Sequence, residues 1–279
     1  DFWTYCCINC MHIIPELTAL EKRYARELVV IGVHSAKFQN EGEVANIRQA
    51  ILRYEIQHPV VNDRDFYIWR QYAVRAWPTL MVVRPDGYVL GHLSGEGHQE
   101  VLERVIAELI AEARSQGTLN DTPLQFALEK DKYASGALSF PGKILAHAPS
   151  QRLFIADSNN NRIIIADLDG KVLDVAGSGA IGKTDGDFNA ATFHHPQGIA
   201  LDGHILYVAD TENHLLRRLD LQARTVTSIA GTGSQARSVN VPGTGTEVAL
   251  NSPWDLTLIG TQLFIAMAGP HQVWVMNLE

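Results

Sequence analysis

Cysteine is scarce in this chain of 279 residues: Cys6, Cys7 and Cys10 all fall within the stretch WTYCCINC. A framework of structural disulfides is thereby excluded, because such bridges join cysteines far apart in sequence. Also lacking is any apolar run near the roughly 20 residues that a membrane-crossing helix needs. A basic excess is missing too: residues 1–115 carry 15 acidic and 12 basic side chains and residues 116–279 carry 16 and 11, for a net charge of −8. Neither half offers the positive surface that phosphate neutralisation requires, so neither nucleic acid nor membrane is expected as a partner. There is no initiator Met and no signal-like N-terminal region. Asp1-Phe2-Trp3 reads as the end of a strand already under way, so the chain is expected to be a fragment cut at both ends, its first strand missing.

What is present supports folding. Hydrophobic residues make up 46% of the chain, enough to bury a core, and the length suggests two domains. After Cys10, Met11, Ile14, Leu17, Leu20, Tyr24 and Leu28 recur at helical spacing among charged residues, which predicts an amphipathic helix beginning at the cysteines. Val29–Val33 reads as a strand buried in a parallel sheet. Residues 43–54 and Phe66–Tyr72 read as helices, and Pro59-Val60-Val61 as a short strand. Thr79–Val83, the turn Pro85-Asp86-Gly87 and Tyr88–Leu93 form a predicted hairpin, and residues 98–113 a closing helix. Helices alternating with strands in this way indicate a mixed α/β sheet.

A cysteine at a helix N-terminus meets the positive end of the macrodipole and unpaired N–H groups, which favour thiolate over thiol. In Cys7-Ile8-Asn9-Cys10 the second thiol lies one turn further in, where it can resolve a mixed disulfide. Cys7 is expected to attack and Cys10 to resolve. Two other readings stay open: a zinc site from Cys6, Cys7, Cys10 and His12, which lacks a second suitably spaced Cys/His pair, and cysteines buried as small apolar side chains.

Residues 1–115 resemble the thioredoxin-like fold. The resemblance rests on Phe2-Trp3 before the cysteines, on Cys7-x-x-Cys10, on Pro15 five residues later, and on Trp77-Pro78-Thr79, which is similar to the family's cis-proline loop. It implies that Cys7 and Cys10 are the catalytic pair and that Trp77, Pro78 and Thr79 bind an extended substrate. Asn9 stands where thioredoxins have proline and Cys6 adds a third thiol; both are expected to modulate the pair. The family's buried acid lies on a strand that would precede Asp1.

A turn-rich polar stretch over residues 116–138 reads as a linker, with a short helix over 124–132. From Phe140 the chain repeats itself. Arg152–Ile165 has a counterpart in Ile205–Arg218 and a degraded third copy in Gln262–Val275, with Pro141, Pro196 and Pro253 upstream at intervals of 55 and 57 residues. Short strands and turns at this period mean a propeller blade or similar array. Each apolar run is an inner strand, and Asp157 or Asp210, with the Asn residues that follow, is expected to supply side-chain-to-backbone hydrogen bonds for the tight turn that leads to its antiparallel partner. Pro196–Ala200, Ala209–His214 and Ala230–Gly233 resemble NHL repeats. The resemblance implies about two to three blades of an all-β propeller over residues 139–279.

Three motifs are set aside. Gly177–Thr184 fits GxxxxGK[ST], but a phosphate-cradling loop needs a helix after it and Asp185-Gly186-Asp187 reads as a turn. His194-His195 suggests metal, yet neighbours on a strand point to opposite faces. The Asp and Asn residues of 157–161 lack the later glutamate of an EF-hand.

The chain is therefore expected to be a thiol–disulfide oxidoreductase or redox-responsive protein that needs no cofactor or metal, with a protein thiol or disulfide as one partner and a second protein on the propeller. The alternative is a catalytically inactive scaffold on the same two folds. A propeller enzyme acting on small molecules would need a metal at a closed axis. The cytoplasm is the expected compartment.

Overall fold

The computed structural model describes residues 1–129, 136–237 and 242–278, and the chain divides into two compact units, Asp1–Ala134 and Ser135–Glu279. In the first unit, β1 (Phe2–Trp3) leads through the cysteines into α1 (Ile8–Arg23). Next come β2 (Gly32–His34), α2 (Val44–Arg53), β3 (Val60–Asn62) and α3 (Tyr67–Gln71), then the hairpin β4 (Thr79–Val83) and β5 (Val89–Ser94), then α4 (Gln99–Ser115). The sheet order is β3-β2-β1-β4-β5, with β1 central, parallel to β2 and antiparallel to β4. The cysteines therefore leave the middle of the sheet.

Helix α1 is held on two flanks. Met11 and Ile14 join Trp3, Ile47, Ile51 and Ile56, whereas Ile13, Leu17 and Leu20 join Leu80, Leu102 and Ile106. Each such burial stabilises by about 1.5–3 kcal/mol, so the helix survives Pro15 inside it, which removes the N–H that would bond to Met11. The run Val29–Val33 departs from expectation. Only Gly32–His34 form the strand, and Val29 and Ile31 are 44% and 48% exposed while Val30 and Val33 are buried. A short ladder gives the strand one covered face at this end, and alternation does the rest. Residues 124–128 are irregular where a short helix was expected, and 130–132 lie outside the described residues.

The second unit holds three antiparallel sheets. The first is β6 (Lys143–His147), β7 (Arg152–Asp157), β8 (Arg162–Asp167) and β9 (Val172–Ala176) in that order. The second contains β10 (Gly186–Asp187), β11 (Pro196–Asp202), β12 (Ile205–Asp210), β13 (Leu215–Asp220) and β14 (Thr225–Ala230), ordered β10-β14-β13-β12-β11. The third is β15 (Pro253–Ile259), β16 (Gln262–Met267) and β17 (Gln272–Asn277). Every residue of β12 is buried because the middle sheet is covered on both faces. Leu206 and Val208 meet Phe154, Ile163 and Ile165, and Ile205, Tyr207 and Ala209 meet Leu256, Leu263 and Ile265. That is why the repeat reads as a continuous apolar run instead of an alternating one.

The aspartates of the repeats act differently from expectation. Each hairpin turn closes on its own backbone: the Asn161 N–H donates to the Ser158 carbonyl at 3.0 Å and the His214 N–H to the Thr211 carbonyl at 3.1 Å, with Asn161, His214 and, in the third copy, His271 at φ 50°, 51° and 56°. The Asp157 and Asp210 carboxylates instead accept the N–H of Ser139 at 2.7 Å and of His194 at 2.8 Å, in the segment before each repeat's first strand. Ser158 and Thr211 then donate to the carbonyls of Pro196 and Pro253, both at 2.6 Å, tying each repeat to the next. The third copy carries Met267-Ala268 at these places and has neither side chain to offer. The residue before each repeat's proline also has positive φ: Phe140 at 46°, His195 at 46° and Ser252 at 52°.

His194 and His195 precede β11 instead of lying on a strand. The left-handed backbone at His195 brings the two rings to 5.0 Å rather than sending them to opposite faces. No helix follows Gly177–Thr184; β10 does, and Lys183 donates to the Gly233 carbonyl at 3.1 Å.

Candidate functional site

Cys7 occupies the N-cap of α1 with extended backbone, φ −104° and ψ 111°, and its carbonyl accepts the N–H of Cys10 at 3.0 Å and of Met11 at 3.2 Å. A cysteine at this position has the helix's unpaired N–H groups in front of it. Its sulfur makes no close capping bond, yet the thiol is pulled down to about 6. The Cys10 thiol contributes most. Partial burial opposes the shift, and the Cys10 N–H, the Lys37 ammonium and the Asn9 N–H add to it. Asn9 thus enters through its backbone.

Cys10 is fully buried beside Trp3, Met11 and Ile14, with Cys7, Ile8, Tyr5 and Trp77 against the same cluster. Burial first, and the neighbouring Cys7 sulfur second, push its thiol far up. One half-exposed sulfur therefore ionises easily and its partner one turn in keeps its proton, the asymmetry that sequential attack and resolution require. All three cysteines are free thiols in this structure.

Cys6 is exposed, but its thiol is pushed up to about 11. Loss of water around the sulfur contributes most, followed by the Glu41 carboxylate as hydrogen-bond acceptor and as a negative charge; Thr4 and Lys37 act in the other direction. Glu41 belongs to a 3-10 helix, Gln39–Gly42, and is only 2% exposed. Its Oε2 accepts the Thr4 hydroxyl at 2.7 Å, the Lys37 N–H at 2.8 Å and the Phe38 N–H at 3.2 Å. Burial works against its ionisation, but the Cys6 thiol, Thr4 and the two N–H groups outweigh it and hold the carboxyl below its usual range.

His34 is fully buried and stacks on Tyr5 at 5.4 Å, and its Nε2 accepts the Tyr5 N–H at 3.4 Å. Burial lowers it to about 4, so the ring is neutral near pH 7. His12, weighed above as a zinc ligand beside the three cysteines, is instead paired with Glu96 at 2.5 Å. Among the described residues no group of three His, Cys, Asp or Glu side chains is arranged to hold a metal.

The loop expected to receive substrate has a cis peptide at Trp77-Pro78. Trp77 is half-buried, its ring 4.4 Å from Trp69 and 5.5 Å from the Lys37 ammonium, and its Nε1 donates to the Ser35 carbonyl at 3.0 Å. The Asp63 carboxylate fixes this aromatic group by accepting the N–H of Ile68 at 2.9 Å and of Trp69 at 2.8 Å. Pro78 and Thr79 are buried. The Pro78 carbonyl accepts the Gly95 N–H at 2.9 Å, and the Thr79 hydroxyl donates to the Ala76 carbonyl at 2.8 Å. The structure thus gathers Cys6, Cys7, Asn9, Cys10 and Trp77 around one helix start. Thr4, Lys37, His34 and Glu41 are neighbours that the sequence reading missed. Their signal is faint, because a glutamate in a short 3-10 helix, 31 residues beyond Cys10, follows no motif.

Residues 1–89 match the Thioredoxin-like family and residues 193–219 the NHL repeat family. The chain is similar to Protein SUPPRESSOR OF QUENCHING 1, chloroplastic, of Arabidopsis thaliana, 47% identical over 283 residues that cover 98% of this chain and 27% of that one. It is likewise similar to NHL repeat-containing protein 2 of Homo sapiens, 41% identical over 290 residues covering 100% of this chain and 40% of that one. The chain therefore spans less than half the length of either relative. Its first part alone is similar to the thiol-disulfide oxidoreductase YkuV of Bacillus subtilis, 21% identical over 111 residues, which are 40% of this chain and 75% of that one.

Proposed function

For a chain that joins a thioredoxin-like domain to NHL repeats, we propose thiol–disulfide exchange by the Cys7–Cys10 pair. Cys7 thiolate attacks a partner's disulfide, forming a mixed disulfide and releasing one partner thiolate. Cys10, losing its proton to that leaving sulfur, then attacks Cys7; the Cys7–Cys10 disulfide forms and the partner leaves reduced. The observation that carries this reading is the contrast between an N-cap sulfur pulled down to about 6 and a fully buried sulfur one turn away that holds its proton. Trp77, with Pro78 and Thr79 fixed behind it, supplies the edge on which an extended substrate docks. The NHL repeats serve as a platform for a protein partner, and the cytoplasm is the compartment proposed with this activity. Among the described residues no helix is long and apolar enough to cross a membrane.

Titration against glutathione redox buffers, with free thiols alkylated and bonded cysteines mapped by mass spectrometry, tests the proposal. A reversible Cys7–Cys10 disulfide with a defined midpoint is expected, and loss of it in Cys7→Ser. Three thiols alkylated at every poise would sink the exchange reading and leave a scaffold built on the same folds.

A further inference from the structure

We propose that Glu41 is a positioning residue whose buried charge keeps the adjacent Cys6 thiol protonated, so that of two neighbouring cysteines only Cys7 becomes a nucleophile. The inference rests on the reading of Cys7 as the attacking thiol. Two cysteines side by side at the start of a helix pose a problem of selection, since both lie near the N–H groups and the positive end of the dipole. Cys6 is also the more exposed of the two. Left to exposure alone, it would be the first to react.

The geometry around Glu41 answers that problem. The carboxylate is 2% exposed, and the three donors to its Oε2 are neutral: the Thr4 hydroxyl and the N–H groups of Lys37 and Phe38. Its Oε1 is buried and has neither an N–H nor an O–H donor. No ion pair answers its charge among the described residues; the Lys37 ammonium sits over the Trp77 ring instead. An anion stabilised by neutral donors still projects its field, and one hydroxyl away in a partly dry site that field weighs against a second anion. Cys6 is the acidic group held against it. The other groups that face Cys6 are Lys37, which favours its thiolate, and Tyr5 and Cys10, which are themselves raised by a charge on Cys6. Thr4 Oγ1 lies 3.9 Å from the Cys6 sulfur and 2.7 Å from Glu41, so one hydroxyl links the thiol to the carboxylate.

Selection of this kind protects the exchange cycle. A Cys6 thiolate attacking oxidised glutathione would form a Cys6–glutathione disulfide, break the glutathione S–S bond and release one glutathione thiolate. The resulting adduct would sit outside α1, whereas Cys10 is one turn from Cys7.

The test is site-resolved alkylation by iodoacetamide over a pH series, read by mass spectrometry for Cys6 and Cys7 separately. In the unaltered chain Cys7 is expected to react with a midpoint far below that of Cys6. In Glu41→Gln the Cys6 rate at neutral pH is expected to rise several-fold, up to about tenfold, as the thiol moves part of the way back toward its ordinary range while its partial desolvation remains, with Cys7 changed by no more than about twofold. Glu41→Asp, which keeps the charge, is expected to hold Cys6 slow. Equal rates for Cys6 and Cys7 in the unaltered chain at neutral pH, or an unchanged Cys6 profile in Glu41→Gln, would overturn the inference. An ordinary thiol profile at Cys7 overturns the exchange reading itself, and is told apart because it is read at a different cysteine.

Discussion

Two carboxylates, one in each unit, are almost equally hidden from water and do opposite things. Glu41 is 2% exposed and Asp210 0%. Asp210 accepts the His194 N–H at 2.8 Å and the Asn213 amide at 2.8 Å, and it faces Arg217 at 2.7 Å, whose guanidinium is itself fully buried and also donates to the carbonyls of Thr192 and Thr184. Burial nevertheless pushes Asp210 up to about 6, because the donors offset only part of the desolvation. Among the described residues no cation pairs with Glu41, which is held low by neutral donors. A carboxylate held by a buried arginine is a fastener: Arg217 also reaches the Asp185 carboxylate at 2.8 Å, so its charge ties several segments together. One matched by neutral groups retains its field and can govern a neighbour.

The largest effect expected from breaking this contrast is at the fastener. Arg217→Ala leaves a buried carboxylate unpaired, removes the ion pair with Asp185 and strips two carbonyls of their donor, and is expected to cost about 3–5 kcal/mol, read as a lower denaturant midpoint for the second unit. Replacing both partners, Asp210→Leu with Arg217→Met, is expected to cost less than Arg217→Ala alone; a greater loss would mean the ion pair itself stabilises the unit. Next in size is a dependence on pH. A carboxyl raised in the folded state contributes stability that is fully present below its unfolded range near 4 and is lost as pH rises through about 6. Acidifying from pH 7 to pH 4 should therefore strengthen the contribution of Asp210 by about 2 kcal/mol, and Asp210→Asn should abolish that slope in pH-dependent unfolding. Glu41 has the opposite sign: its contribution is present above the ordinary carboxylate range and is lost as pH falls through its lowered value, so Glu41→Gln should flatten only the more acidic limb. The smallest effect is expected at Lys37, a partly screened cation. Lys37→Ala should slow Cys7 alkylation at mildly acid pH by about twofold, and no change would remove Lys37 from the site.

Much of this arrangement is legible in the residues. The helix begins where the cysteines lie, the hairpin turns at Gly87 with φ 87°, and the repeats announce three sheets, because each of these features depends on neighbours close in sequence. What escapes are groups whose partners come from elsewhere. Glu41 looks like one more surface acid until the fold brings Thr4 and Cys6 to it. Arg217, beside Arg218 in a strand, reads as solvated charge, yet one of the two is fully buried and the other partly exposed. The aspartates of the repeats are correctly identified as acceptors of backbone N–H groups, but those backbone partners lie 16 to 18 residues upstream, beyond any local rule, while Asn160 and Asn213 three residues on supply side-chain amides. At His194-His195 a single residue with positive φ defeats the alternation assumed for a strand.

The positive-φ positions of the repeats amount to a construction rule. Before the prolines stand Phe140, His195 and Ser252, and after the hairpin turns stand Asn161, His214 and His271; φ stays between 46° and 56° while the side chain changes from aromatic to polar to imidazole. None of the six is glycine, the residue that adopts this backbone at least cost. The template copied from repeat to repeat is thus a set of torsion angles together with a side-chain acceptor, since Asn161 Oδ1 and His214 Nδ1 accept the N–H groups of His195 and Ser252, both at 3.0 Å. A designer extending the array by one unit would have to copy the two left-handed joints and keep a side-chain acceptor at the hairpin joint to take the N–H of the next pre-proline residue.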